Sequence, residues 1–126
     1  MNKIIYVYWF NKQKKYLIGT IEKSEDYIFK YGYEIEQAIR NGFSLLVAFE
    51  DIDKVYHNNK LFITFSCRVP SEKRKDIKEI LEKYNMEEYD EFELLAKAGA
   101  RLPIDNLYFS FYKTFLKGEL IWILRI

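Results

Sequence analysis

Between Lys60 and Phe109 the chain passes through differently built pieces in a set order, and that order constrains the fold more than any other feature. Leu61-Phe62-Ile63-Thr64-Phe65 is an apolar run that suits a strand or a buried helical turn equally well. Pro70-Ser71 then marks a helix start, because proline tolerates a first turn and serine can cap it. Ile77, Ile80, Leu81 and Tyr84 recur at i, i+3, i+4 and i+7, with Lys and Glu on the other face, so the spacing predicts an amphipathic helix through Tyr84. A second helix is expected from Asp90, which with Glu93 matches a capping box. Phe92, Leu95 and Ala96 form its buried stripe, Gly99 ends it, and Asn106-Leu107-Tyr108-Phe109 closes the stretch as a strand.

The first sixty residues read differently. Ile4 to Phe10 is β-branched and aromatic throughout, and Tyr16 to Ile21 returns after the polar turn Asn11–Lys15, which predicts a hairpin. Tyr27 to Tyr31 is a third short strand. From Tyr33 to Asn41 the period changes: Ile35, Ala38 and Ile39 share a helical face and Gly42 follows where a C-terminus favours glycine. Phe43 to Phe49 is expected to return to strand, Glu50 to Lys60 to be polar loop, and Leu107–Tyr112 with Glu119–Ile126 to form a last hairpin turning at Lys117-Gly118. Repeats, low-complexity segments and linkers are absent. The expectation is a single α+β domain over residues 1–126, a mostly antiparallel sheet with about three to four helices grouped to one side.

Composition narrows the function classes. Lys plus Arg number 20 against 19 Asp plus Glu, which argues against a standing pull on nucleic acid or an anionic membrane. No window approaches the ~18 apolar residues of a membrane span, and the short Ile4–Phe10 run lacks the length and cleavage site of a signal peptide. With one cysteine no internal disulfide can form, so a cytoplasmic location is the simpler expectation. Tyr and Phe supply 21 residues, enough to serve a core or an interface, and core packing is the reading taken.

Catalytic parts are scarce. His57 is the one histidine and Cys67 the one cysteine. A thiolate activated by imidazole is conceivable, but a cysteine beside an aromatic run is more often a small buried hydrophobe. Asp51 and Asp53 beside Glu50 read as a solvated acidic turn, since a calcium loop needs a longer ligand series. Glycine-rich phosphate loops and the His-Arg-Asp and Asp-Phe-Gly signatures of kinases are missing from the sequence. Neither an enzyme nor a bound cofactor or metal is expected. Arg68, Lys73, Arg74, Lys75 and Lys78, interrupted by Glu72 and Asp76, read as a solvated helix face or a protein-docking loop rather than a nucleic-acid patch.

The sequence of pieces resembles the N-terminal domain of HipA-type toxin kinases. Gly19-Thr20 corresponds to that family's turn-and-strand "V-G-x-L", and Tyr27–Tyr31 to its "F-x-Y" strand. Phe43-Ser44-Leu45-Leu46 sits at its "P-L-S-L-S-L-P" without either proline, Leu61–Pro70 resembles "FFxNLLP", and Phe92-Glu93-Leu94-Leu95 with Gly99 resembles "F-D-L-L-x-x-x-G". The family's following "G-x-D-x-x-G-A" turn is replaced by Ala98 to Asp105. The resemblance favours helix over strand for Leu61–Phe65. It also implies a function, because the same domain occurs detached from its kinase as HipS in tripartite toxin–antitoxin systems. By that analogy the chain binds and restrains a HipT-like Ser/Thr kinase, alongside a DNA-binding HipB-like protein. The kinase-facing surface is implied at the loop opening the long helix: Phe62, Phe65, Arg68, Pro70, Ser71, Glu72, Lys73 and Arg74. The alternative is a free-standing adaptor that shares only the fold.

Overall fold

The computed structural model describes residues 3–12, 14–98 and 105–113. The fold is α+β: among the described residues, a five-stranded antiparallel sheet in the order β4-β3-β2-β1-β5 is joined by four short helices. β1 (Lys3–Asn11) and β2 (Lys14–Lys23) form the expected hairpin, and β3 (Tyr27–Tyr31) extends it. A bulge interrupts the β1–β2 register between Val7 and Tyr8, so that Val7 opposes Gly19 while Tyr8 opposes Leu17. The carbonyl of the extra residue, Ile18, accepts the Gly32 N–H at 2.6 Å, which ties the end of β3 to the bulge.

α1 (Ile35–Arg40) follows β3 and buries Ile35 and Ala38, as their spacing predicts. The Phe43–Phe49 stretch departs from expectation, since it is irregular backbone and not a strand. Its apolar side chains still reach the core: Phe43 and Phe49 are buried and Leu45 and Leu46 pack beside them. The strand edge open beside β3 is taken instead by β4 (Tyr56–Asn58), within the stretch expected to be loop, where Tyr56 pairs with Phe29. Aromatic contact explains the exchange, because Tyr56 stands edge-on to Phe49 with ring centroids 4.9 Å apart.

Leu61–Phe65 is the helical alternative: α2 (Ile63–Ser66) turns Phe65 inward and leaves Ile63 81% exposed. The long helix starts later than Pro70-Ser71 suggests. Residues 71–76 form successive turns, and α3 (Ile77–Lys83) begins after Asp76. Its end is a Schellman motif. Asn85 takes a left-handed φ of 57°, its N–H bonds the Glu82 carbonyl, and Met86 N–H reaches back to Leu81 at 2.8 Å. α4 (Glu91–Ala98) is capped as read from sequence, with Asp90 Oδ1 accepting the N–H groups of Phe92 at 3.0 Å and Glu93 at 3.2 Å. β5 (Leu107–Ser110) then lies along β1 at the sheet edge. The last hairpin expected with Glu119–Ile126, and the Gly99 helix end, lie outside the described residues.

The helices bury their apolar residues against one sheet face. Ile5, Val7, Ile18, Ile21, Phe29 and Phe109 meet Ile35, Phe65, Phe92 and Leu95 there, while Leu81, Met86 and Leu94 make a satellite cluster under α3. Four phenylalanines form the centre: Phe29 and Phe49 are 4.4 Å apart, Phe49 and Phe65 stack at 5.7 Å, and Phe109 stands edge-on to Phe65 at 5.6 Å.

A buried hydroxyl fixes the irregular stretch beside this core. Tyr31 donates to the Phe49 carbonyl at 2.5 Å and accepts the Leu46 N–H at 3.1 Å. Burial is the main reason its phenol is pushed up to about 12. The neutral form is the one folding favours, so its contribution is complete below the ordinary phenol value of 10.0 and is lost as pH rises toward 12. Tyr31→Phe leaves both backbone groups without that partner and is expected to lower stability by ~1–2 kcal/mol. Hydrogen exchange at Leu46 should accelerate by the same free energy; an unchanged rate would show that the hydroxyl does not hold the loop.

Candidate protein-docking loop

The segment Arg68–Asp76 joins α2 to α3 and is fixed from both sides. At its start the Arg68 side chain is only 4% exposed and forms an ion pair with Asp105, which precedes β5. Its guanidinium carbon lies 5.1 Å from the Phe109 ring centroid, a cation–π contact with the central cluster. Burial pulls the guanidinium below its ordinary value. Next, the Pro70 carbonyl accepts the Tyr89 hydroxyl at 2.6 Å, tying the loop to the residues before α4. Burial, with Glu91 and Glu72 nearby, raises the Tyr89 phenol.

Between these anchors the chain turns outward. Ser71 Oγ accepts the Lys73 N–H at 3.1 Å and the Ser71 carbonyl accepts the Arg74 N–H, a serine turn that projects the following side chains into solvent. Ser71, Glu72, Lys73 and Arg74 are all exposed. Arg74 forms a two-point pair with Asp76, with nitrogen–oxygen distances of 2.8 and 2.9 Å, which raises the guanidinium and lowers the carboxyl.

The residues expected at this surface therefore divide. Ser71 to Arg74 face outward, with Pro70 half-buried at their base. Phe62 is half-buried, its ring 5.2 Å from Phe49. Phe65 has no exposed surface, and Arg68 is turned inward, so these two position the loop and present nothing to a partner. Alternation alone could not reveal this, because the ion pair joins residues 37 apart in the chain.

Beside the loop the structure adds a feature that no short motif encodes. An open cleft of about 630 Å³ lies between Lys23 and Tyr27 of the sheet and the segment leading into α4. Glu72, Glu87, Glu88 and Glu91 line it. The acidic run from Glu87 to Glu93 is visible in sequence, but its approach to Glu72 and Lys23 is tertiary. The loop thus presents Lys73 and Arg74 next to a negative wall, a surface able to discriminate partners by charge.

The other chemical candidates stay apart. His57 is exposed on β4 opposite Ile28, and Cys67 at the end of α2 directs its thiol to the Thr64 carbonyl at 3.6 Å. Cys67 is exposed, contrary to the buried role expected beside an aromatic run. Asp51 Oδ1 accepts the Asp53 N–H at 2.9 Å, the acidic turn read from the sequence. Among the described residues, no group of three His, Cys, Asp or Glu side chains could hold a metal ion, and no helix is long and apolar enough to cross a membrane. No protein-family model matches the chain, and neither a curated protein nor a solved structure is similar enough to count as a match.

Proposed function

We propose that this chain is a HipS-like, non-enzymatic antitoxin subunit, which docks on a separately encoded HipA/HipT-like Ser/Thr kinase in the cytoplasm and restrains it. The observation that carries the reading is the loop Ser71–Arg74, exposed and charged yet anchored on both flanks by Arg68–Asp105 and Tyr89–Pro70. A loop held in one conformation loses little entropy on association, which favours it as a docking element over a free tail. The same stretch corresponds to the kinase-facing passage of the family that the sequence resembles. Restraint follows if the chain binds only the inactive kinase and so withdraws it from the active population. A HipB-like DNA-binding protein completes the assembly, and the near-neutral charge balance leaves nucleic-acid contact to that partner.

The experiment is co-expression with a kinase encoded beside this chain, followed by affinity capture and a phosphorylation assay. Capture of the kinase together with lowered phosphorylation is the expected result. Lys73→Glu with Arg74→Glu should weaken the complex about tenfold, ~1.4 kcal/mol, while leaving the unfolding midpoint within ~0.5 kcal/mol, as surface changes do. Phosphorylation at equal rates with and without the chain would overturn the proposal. Capture of a protein other than a kinase would point to the adaptor role.

A further inference from the structure

The stop after α1 places a glycine directly behind an exposed asparagine, and that step has a chemistry of its own. Asn41-Gly42 is the one Asn-Gly step in the sequence, and both residues are exposed. The helix ends in a second Schellman motif, in which Gly42 N–H bonds the Ile39 carbonyl at 3.1 Å and Phe43 N–H reaches the Ala38 carbonyl at 2.9 Å. Gly42 supplies the left-handed φ of 109° that the motif needs. Phe43 is thereby turned into the core, buried with its ring 5.3 Å from Trp9. The glycine that makes this turn also leaves its own amide nitrogen without a side chain to shield it.

In an open chain such a step rearranges without an enzyme. The Gly42 nitrogen gives up its proton to solvent and attacks Asn41 Cγ. An N–Cγ bond forms, the Cγ–Nδ2 bond breaks, and Nδ2 takes a proton from water and leaves as ammonia. Water then opens the cyclic imide at either carbonyl, giving aspartate or isoaspartate, whose backbone runs through Cγ. The net change is water consumed and ammonia released, with no oxidation. Attack requires the nitrogen to approach Cγ to about 3–3.5 Å with its lone pair aimed there.

The fold withholds both reactants. Asn41 Nδ2 donates to the Gln37 carbonyl at 2.7 Å, which turns the side-chain amide back along α1. The Gly42 N–H is engaged by Ile39. From the other side the Asn41 carbonyl accepts Asn11 Nδ2 at 2.8 Å, pinning this corner to the end of β1.

We propose that Asn41 is a self-modification site which the folded chain keeps shut, and that local opening at the end of α1 converts it one way to aspartate or isoaspartate. Either product removes the donor to Gln37 and puts a carboxylate at the helix C-terminus, where the macrodipole opposes negative charge. Isoaspartate also lengthens the backbone between Ala38 and Phe43, which spoils the Schellman geometry. Conversion therefore loosens the corner that carries Phe43 into the core and sets a chemical lifetime for the folded chain. The inference does not rest on the kinase-docking reading.

The test is incubation of the full-length chain at neutral pH, folded and in guanidinium chloride, with mass spectrometry of the peptides that cover each asparagine. In denaturant Asn41 should convert faster than Asn58, Asn59 or Asn85, none of which precedes glycine. Folding should slow it by about tenfold or more, the factor that an opening free energy of ~1.4 kcal/mol supplies. Asn11→Ala should raise the folded rate several-fold and leave the rate in denaturant unchanged. Converted chain, once refolded, should unfold at a lower urea concentration than the parent. Equal rates folded and denatured would overturn the proposal, as would no preference for Asn41 in denaturant or a converted chain as stable as the parent. So would an unaltered folded rate in a well-folded Asn11→Ala chain. If Asn11→Ala lowers the unfolding midpoint of the whole protein, the folded and denatured rates of the unsubstituted chain decide alone.

Discussion

Phe65→Ala is expected to cost ~3–5 kcal/mol of folding stability, a large share of the ~5–15 kcal/mol a domain possesses. Phe65 has no exposed surface and lies within 5.7 Å, centroid to centroid, of Phe29, Phe49 and Phe109. Alanine at this position therefore removes both the transferred apolar area and the ring contacts of three neighbours. Collapse cannot refill the space cheaply, since Phe29 and Phe109 are fixed by strand pairing in β3 and β5. Urea unfolding checks the expectation, with Ile63→Ala as the control. Ile63 lies in the same helical turn but is 81% exposed, so its loss should fall within ~0.5 kcal/mol. Equal effects of the two variants would mean that α2 does not face the sheet as described. Because α2 leads directly into Arg68, Phe65→Ala should also weaken any partner bound at Ser71–Arg74, through the scaffold and not through lost contact.

The second large effect is expected at Gly19. A Cβ there would lie 2.8 Å from Phe29 Cε1 and 2.9 Å from the Lys30 carbonyl oxygen. A ring can rotate away, but the carbonyl belongs to the β2–β3 ladder, in which Thr20 pairs with Lys30. Gly19→Ala should therefore destabilise by ~1–3 kcal/mol and Gly19→Val by more than that. The sign is informative, because strand propensity alone favours valine over glycine on a scale of ~1 kcal/mol. A thermal or urea scan showing either variant as stable as the parent would refute the close approach of Phe29 over the glycine.

Local pattern carried much of the architecture. The Asp90 cap, the Ile35–Ala38 helical face and the first hairpin depend on neighbours within a few residues, where spacing and hydrogen-bond capacity are read directly. The Phe43–Phe49 stretch shows where this stops. Its residues are apolar enough for a strand, but Tyr31 and the ring of Phe49 capture the backbone and the side chains in an irregular path, and Tyr56–Asn58 takes the pairing edge. The late start of α3 has a similar cause, since Ser71 closes a turn with its own backbone instead of capping a helix.

By itself the sequence determined the α+β class, the identity of most elements and the charged character of the loop before α3, because these follow from residue type and short-range period. Only the tertiary structure decided which charges remain available. It sank Arg68 against Phe109 and Asp105, brought Glu72 to the acidic segment before α4, and tied the Tyr112 carbonyl to the Tyr8 hydroxyl. Each of these joins residues far apart in the chain, and burial and pairing energies depend on the neighbour in space, which no local period encodes.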